Sequence, residues 1–156
     1  MNKKLIIRYV SMAVSVLLMA LIFFFSSQNG NRSSEVSTGF SAFVKEIFGY
    51  IVPENAVNFI VDYIRKFAHV FLYACLGASV SVCVFTYNLG HGWLYFAVPM
   101  LICLVYACSD EVHQIFVEGR DGKILDVLVD GIGFVFATVI ANGIRILIKS
   151  KKEKGC

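Results

Sequence analysis

The chain has 156 residues, of which 58% are hydrophobic and 16% charged, with a formal net charge of +3 and a mean hydropathy of +0.72. That is more apolar surface than one soluble core of this length buries, and the charged share is well below the roughly 25% of a soluble domain. A soluble globular domain is therefore set aside, and so is a nucleic-acid partner, because the positive charge lies largely in lysines that flank an apolar run, where a membrane surface explains it.

Lys3, Lys4 and Arg8 precede an apolar run from Tyr9 to Phe25. A spanning helix needs about 20 mostly apolar residues, with a range of about 17 to 25. Basic residues before an apolar stretch also fit a cleaved signal peptide. This run is longer than the roughly 7–15 residues of such a peptide, and no small-residue cleavage site precedes Ser26, so it reads as a retained first span. Residues 26–38 are polar and lack helical periodicity. Phe40, Phe43, Val44, Ile47, Phe48 and Ile51 then recur at helical spacing with Lys45 and Glu46 off that face, which predicts an amphipathic helix on the membrane surface, ended by Pro53. Val57, Ile60 and Ile64 resume the pattern, so that the segment forms a lid leading into the second span, 67–87. A third span, 93–111, is reached by adding Ser109, Asp110 and Glu111 to a short apolar run, and a fourth covers 124–148, followed by Lys149, Lys151, Lys152 and Lys154.

The fold expected is an all-α membrane protein: one domain over residues 1–156, a four-transmembrane-helix bundle with an extracytoplasmic amphipathic helical segment between the first two spans. With four spans both basic termini share a side, and the positive-inside rule makes it cytoplasmic; the loop Asn88–Gly92 carries no lysine or arginine to oppose this. Five cysteines form no C-x-x-C pair and lie mostly within apolar spans, where they read as small packing residues.

The informative residues are polar ones at the span ends. Arg65, Lys66 and His69 open the second span; Ser109, Asp110, Glu111, His113 and Gln114 close the third; Arg120, Asp126 and Asp130 surround the start of the fourth. The topology puts all of them at the outer side. Each ionisable group at membrane depth costs about 2.5–3.5 kcal/mol on the insertion scale, so such groups are normally paired in a bundle or line a wet cavity. Lys66, His69 and Tyr73 share one helical face, Asp110, His113 and Gln114 another, and Asp126 and Asp130 a third, continued by Gly133 and Ala137, small enough to let a helix approach closely. A purely structural salt-bridge network is the alternative.

Four elements, Phe25-Ser26-Ser27-Gln28, Arg65-Lys66-x-x-His69-x-x-x-Tyr73, Ser109-Asp110-Glu111-x-His113-Gln114 and Gly119-Arg120 followed after five residues by Asp126, resemble the VanZ-like membrane proteins, and the likeness covers nearly the whole chain. Asp130 departs from the family pattern, where asparagine is expected in many members. The resemblance implies a multi-pass protein of the bacterial cytoplasmic membrane, associated with lowered sensitivity to teicoplanin-type lipoglycopeptides. Its partners would be membrane lipid and either a lipid-linked cell-wall intermediate or the antibiotic itself.

The residues leave two chemistries open. In a hydrolase or transferase acting on an anionic lipid-linked substrate, His69 or His113 would serve as base, Asp110, Glu111 or Asp126 would orient or donate, and Lys66 with Arg120 would hold the anion. In a binding module the same cluster, with Arg65, Tyr73, Gln114 and Asp130, recognises a ligand without turnover. Ser109 has no elbow or triad spacing that would make it a nucleophile. A zinc variant would use His69, Glu111, His113 and Asp126, but no H-E-x-x-H signature supports it, so no metal or cofactor is expected.

Overall fold

Lipid reverses the usual rule of burial, and the first helix shows it. A computed structural model describes residues 2–27, 54–117 and 124–154, with side-chain surroundings given for Tyr63 and from Lys66 onward in the second stretch. Helix α1 (Lys3–Ser26) is capped by Asn2, whose side chain accepts from the Lys4 amide at 3.2 Å. Of its four buried residues, Ser11, Ser15, Ile22 and Ser26, three are serines, while Val16, Leu17, Phe24 and their apolar neighbours face outward. A helix that hides hydroxyls and displays leucine and phenylalanine suits a hydrocarbon solvent.

Helix α2 covers Glu54–Phe85, α3 Leu94–Ile115 and α4 Ile124–Lys154. Four helical stretches, Lys3–Ser26, Lys66–Phe85, Leu94–Ile115 and Ile124–Lys154, are long and apolar enough to cross a membrane, as the sequence leads one to expect. No strand occurs among the described residues. The expected amphipathic helix over Phe40–Ile51, Arg120, and the side chain of Arg65 lie outside the described residues and surroundings.

Cross-helix contacts fix an up-down-up-down order. Arg8 near the start of α1 donates to Thr86, just past the end of α2, through Nε to Oγ1 and Nη2 to the carbonyl, each 3.0 Å, and stacks on Tyr87. Ser26 at the far end of α1 meets the last turns of α3. Helix α2 packs against all three others, whereas α1 and α4 do not pack on each other among the described residues. The centre is filled by Ile22, Tyr73, Leu76, Val80, Cys103, Ala107 and Phe134.

Small residues set the spacing of α2 and α4. A Cβ on Gly133 would run into the Val70 carbonyl, and one on Gly77 would lie 2.8 Å from the Phe134 carbonyl oxygen. The two glycines thus let the backbones touch, as the Asp126–Asp130–Gly133 face suggests. Hydroxyls join α1 to α2: Ser15 Oγ donates to Ser79 Oγ and Ser79 Oγ to the Ser11 carbonyl, both at 3.0 Å.

Pro99 lies inside α3 and is fully buried. Proline has no N–H, so the Tyr95 carbonyl four residues earlier loses its helical donor. Asn142 of α4 supplies the replacement, its Nδ2 donating to that carbonyl at 3.1 Å.

Candidate functional site

At the end of the bundle away from the termini, polar residues from all four helices come together. The closing turns of α3 carry Asp110, Glu111 and Gln114, all buried despite their polarity. The spacing i, i+1, i+4 turns all three inward, and they solve part of the cost of burial among themselves. Gln114 Nε2 lies 3.1 Å from Asp110 Oδ2 and 3.1 Å from Glu111 Oε1, so one amide serves two carboxylates with its two N–H groups. Ser26 of α1, with no solvent exposure, donates its hydroxyl to the same Asp110 Oδ2 at 2.7 Å.

The other half of the cluster comes from α2 and α4. His69 Nδ1 stands 3.9 Å from Asp130 Oδ2, with both side chains largely buried. Tyr73, one turn on from His69, is completely buried between the halves, its ring 6.4 Å from His69, 6.3 Å from Tyr106 and 6.4 Å from Phe134. Tyr106 in turn donates to the Met19 carbonyl and holds α3 to α1.

Several polar atoms in this region find no partner among the described residues. Tyr73 Oη, Asp110 Oδ1 and His113 Nε2 are buried and make no hydrogen bond to a described protein group. Such atoms are rare in folded interiors, where ordered water, an ion or a functional role accounts for them. His113 stacks on Phe23 of α1, centroids 4.3 Å apart, which seats it on the α1 side.

The sequence candidates thus divide. Asp110, Glu111, Gln114, Tyr73, His69 and Asp130 meet in the interior, and Asp126 sits half-buried one turn before Asp130. Lys66 is exposed on the surface of α2. Among the described residues no three His, Cys, Asp or Glu side chains converge to hold a metal ion, so His69, Glu111, His113 and Asp126 do not form a ligand set there. Two participants are absent from the candidates drawn from sequence. Ser26 carries a signal, since it lies in the Phe25-Ser26-Ser27-Gln28 element; Tyr106 carries none, being one aromatic in an apolar run.

Taken together, the fold and this cluster define a helical multi-pass membrane protein with a buried polar site at one end of its bundle. A family model described as VanZ/LLP1 matches residues 11–147, and the chain belongs to that family. No curated protein and no solved structure matches it.

Proposed function

We propose that this is a bacterial cytoplasmic-membrane protein with both termini cytoplasmic, whose outward-facing polar site engages a lipid-linked cell-envelope ligand and so lowers sensitivity to teicoplanin-type lipoglycopeptides. The orientation rests on Lys3, Lys4 and Arg8 before the first span and the lysines after the last. The observation that carries the ligand site is the pair of orphaned atoms, Tyr73 Oη and Asp110 Oδ1, buried beside the carboxylates of Glu111 and Asp130. A carboxylate oxygen held open in a dry interior accepts a hydrogen bond from a hydroxyl, amide or amine, and the tyrosine hydroxyl can give or accept one. Sugar and peptide headgroups on a lipid carrier present those groups, while their tails would lie in the surrounding hydrocarbon.

A second reading, hydrolysis or group transfer on the same ligand, is favoured by the approach of His69 Nδ1 to Asp130. An imidazole with a carboxylate beside it is an arrangement that general-base catalysis uses. Substitution separates the two readings. Wild type, Asp110→Asn and His69→Gln are expressed in cells lacking the gene, and growth is measured under teicoplanin beside membrane abundance. Asp110→Asn should reach the membrane in normal amount and lose protection. If both variants are as abundant and as protective as wild type, the cluster is a structural brace and the proposal fails. With purified protein and a lipid-linked wall precursor, His69→Gln that binds without turning over marks an enzyme, whereas lost affinity marks a binder.

A further inference from the structure

A second feature lies between α2 and α4. Helices α2 and α4 enclose a groove of about 920 Å³ open to the surroundings, in which small residues, Ala74, Ala78, Ala137 and Ala141, stand among larger apolar ones. From Gly133, where the two helices touch, to Arg145 the groove runs about 18 Å at 1.5 Å per residue. Arg145 is the one charged residue lining it.

Its guanidinium carbon lies 3.4 Å from the centre of the Tyr95 ring and 5.4 Å from that of Phe85. The arginine is therefore held at the groove's mouth by aromatic faces, which attract its charge but do not neutralise it. No carboxylate among the described residues pairs with it. Tyr95 is itself fixed, its hydroxyl donating to the Tyr87 carbonyl at 3.1 Å and accepting from the Leu89 amide at 3.0 Å. An apolar trough thus leads to a rigidly mounted, uncompensated cation at the depth where a spanning helix leaves the hydrocarbon.

We infer that this groove binds an anionic glycerophospholipid of the leaflet on the terminal side, an acyl chain lying between α2 and α4 and the phosphate on Arg145. A neighbouring helix would also fit a trough of small residues. Self-association through this face, however, would set the same patch against itself in a two-fold pair. Its lining contains no Asp or Glu, so two copies would bring arginine and no counter-charge. A phosphodiester supplies the missing negative charge, and a guanidinium matches its geometry with paired N–H groups.

The test uses full-length protein in detergent, titrated with phosphatidylglycerol or with phosphatidylcholine of the same acyl chains, with retained lipid read by native mass spectrometry and the unfolding midpoint by thermal melting. One charge at the membrane surface corresponds to a preference of about fivefold, and wild type should retain phosphatidylglycerol by at least that factor. Arg145→Gln should abolish the preference. A variant in which Lys149, Lys151, Lys152 and Lys154 are all changed to Gln should keep it, since those lysines lie beyond the groove. Because Arg145 also braces Tyr95, Ala141→Trp is measured beside it: the bulk fills the trough, leaves the arginine in place and should remove retention of both lipids. If Arg145→Gln does not fold, Ala141→Trp decides alone. Equal retention of the two lipids by wild type, a preference that survives in Arg145→Gln or disappears with the tail lysines, or unchanged retention in Ala141→Trp each overturns the inference. So does efficient intermolecular disulfide formation by Ala141→Cys in native membranes, which would mean that a second copy fills the groove.

Discussion

The interplay of Pro99 and Asn142 gives a test in which one variant alters the effect of another. Asn142 and Tyr95 are both buried, and the Asn142 side chain meets the carbonyl that Pro99 leaves without a donor. Replacing Asn142→Leu keeps the size of the side chain and removes the donor. A buried acceptor left unpaired costs about 1–3 kcal/mol. Pro99→Ala restores an N–H within α3, where it can reach the Tyr95 carbonyl as in any α-helix, so the asparagine becomes redundant for that bond. The sign of Pro99→Ala alone is not at issue, because relief of the proline and loss of its packed ring oppose each other. What matters is the coupling: Asn142→Leu should cost at least about 1 kcal/mol less in the Pro99→Ala background than in wild type, well above the roughly 0.3–0.5 kcal/mol within which independent sites add. Reversible unfolding of the detergent-solubilised protein, measured for all four members of the cycle, gives the number. Additivity within that scatter would show that the Asn142 bond does not compensate for the proline, and the account of α3 would be wrong.

Ser26→Ala should destabilise the protein by about 1–3 kcal/mol, the cost of leaving a buried hydrogen-bonding group unpaired, whereas Ser27→Ala next door, whose hydroxyl among the described residues bonds the Phe24 carbonyl at 2.9 Å, should stay within about 0.5 kcal/mol; equal melting of the two variants would contradict the buried Ser26–Asp110 bond. Gly133→Ala must push α4 off the Val70 backbone and should lower stability by about 1–3 kcal/mol or more, as overpacking does, while the same change at Gly143, where nothing lies within 4 Å, should be neutral or stabilising; similar thermal midpoints for both would refute the close approach. A membrane-impermeant thiol reagent should label Asn31→Cys and Gly119→Cys in intact cells, and protection of both until lysis would reverse the proposed orientation.

The spans were legible in the sequence because the hydrocarbon thickness sets a minimum apolar length that no local competition alters. Their ends were less so. Helix α1 begins at Lys3 rather than near Tyr9, since lysine and arginine are good helix formers that continue a helix out to the interface. Helix α3 continues to Ile115, so the Asp110–Gln114 element lies inside a helix and presents its residues with helical spacing. The Gly133 contact could be read from small residues at that spacing, but its counterpart, Gly77, could not. Neither could the Pro99–Asn142 complement or the partner of Ser26, 84 residues away. An apolar segment surrounded by lipid has little amphipathic contrast to report how it is rotated, and cross-helix pairing depends on that rotation.

The two ends of the bundle use polar residues differently, and the contrast bears on function. At the terminal end, Arg145 apart, the groups find partners: Arg8 with Thr86, the Tyr95 hydroxyl with Leu89 and Tyr87, Asn142 with the Tyr95 carbonyl. At the other end Asp110 Oδ1, Tyr73 Oη and His113 Nε2 are buried with no hydrogen-bond partner among the described residues, as is Thr138 Oγ1, between the two ends. A network that merely braces helices gains most when every member is bonded, because each open valence in a low-dielectric interior subtracts from what the closed ones contribute. Had the cluster served only to hold α1–α4 together, the opposite end shows that this fold closes such networks without difficulty. Polar atoms without a described protein partner beside buried carboxylates are a cost that a ligand or ordered water would remove, and this is the physical support for the binding site proposed above.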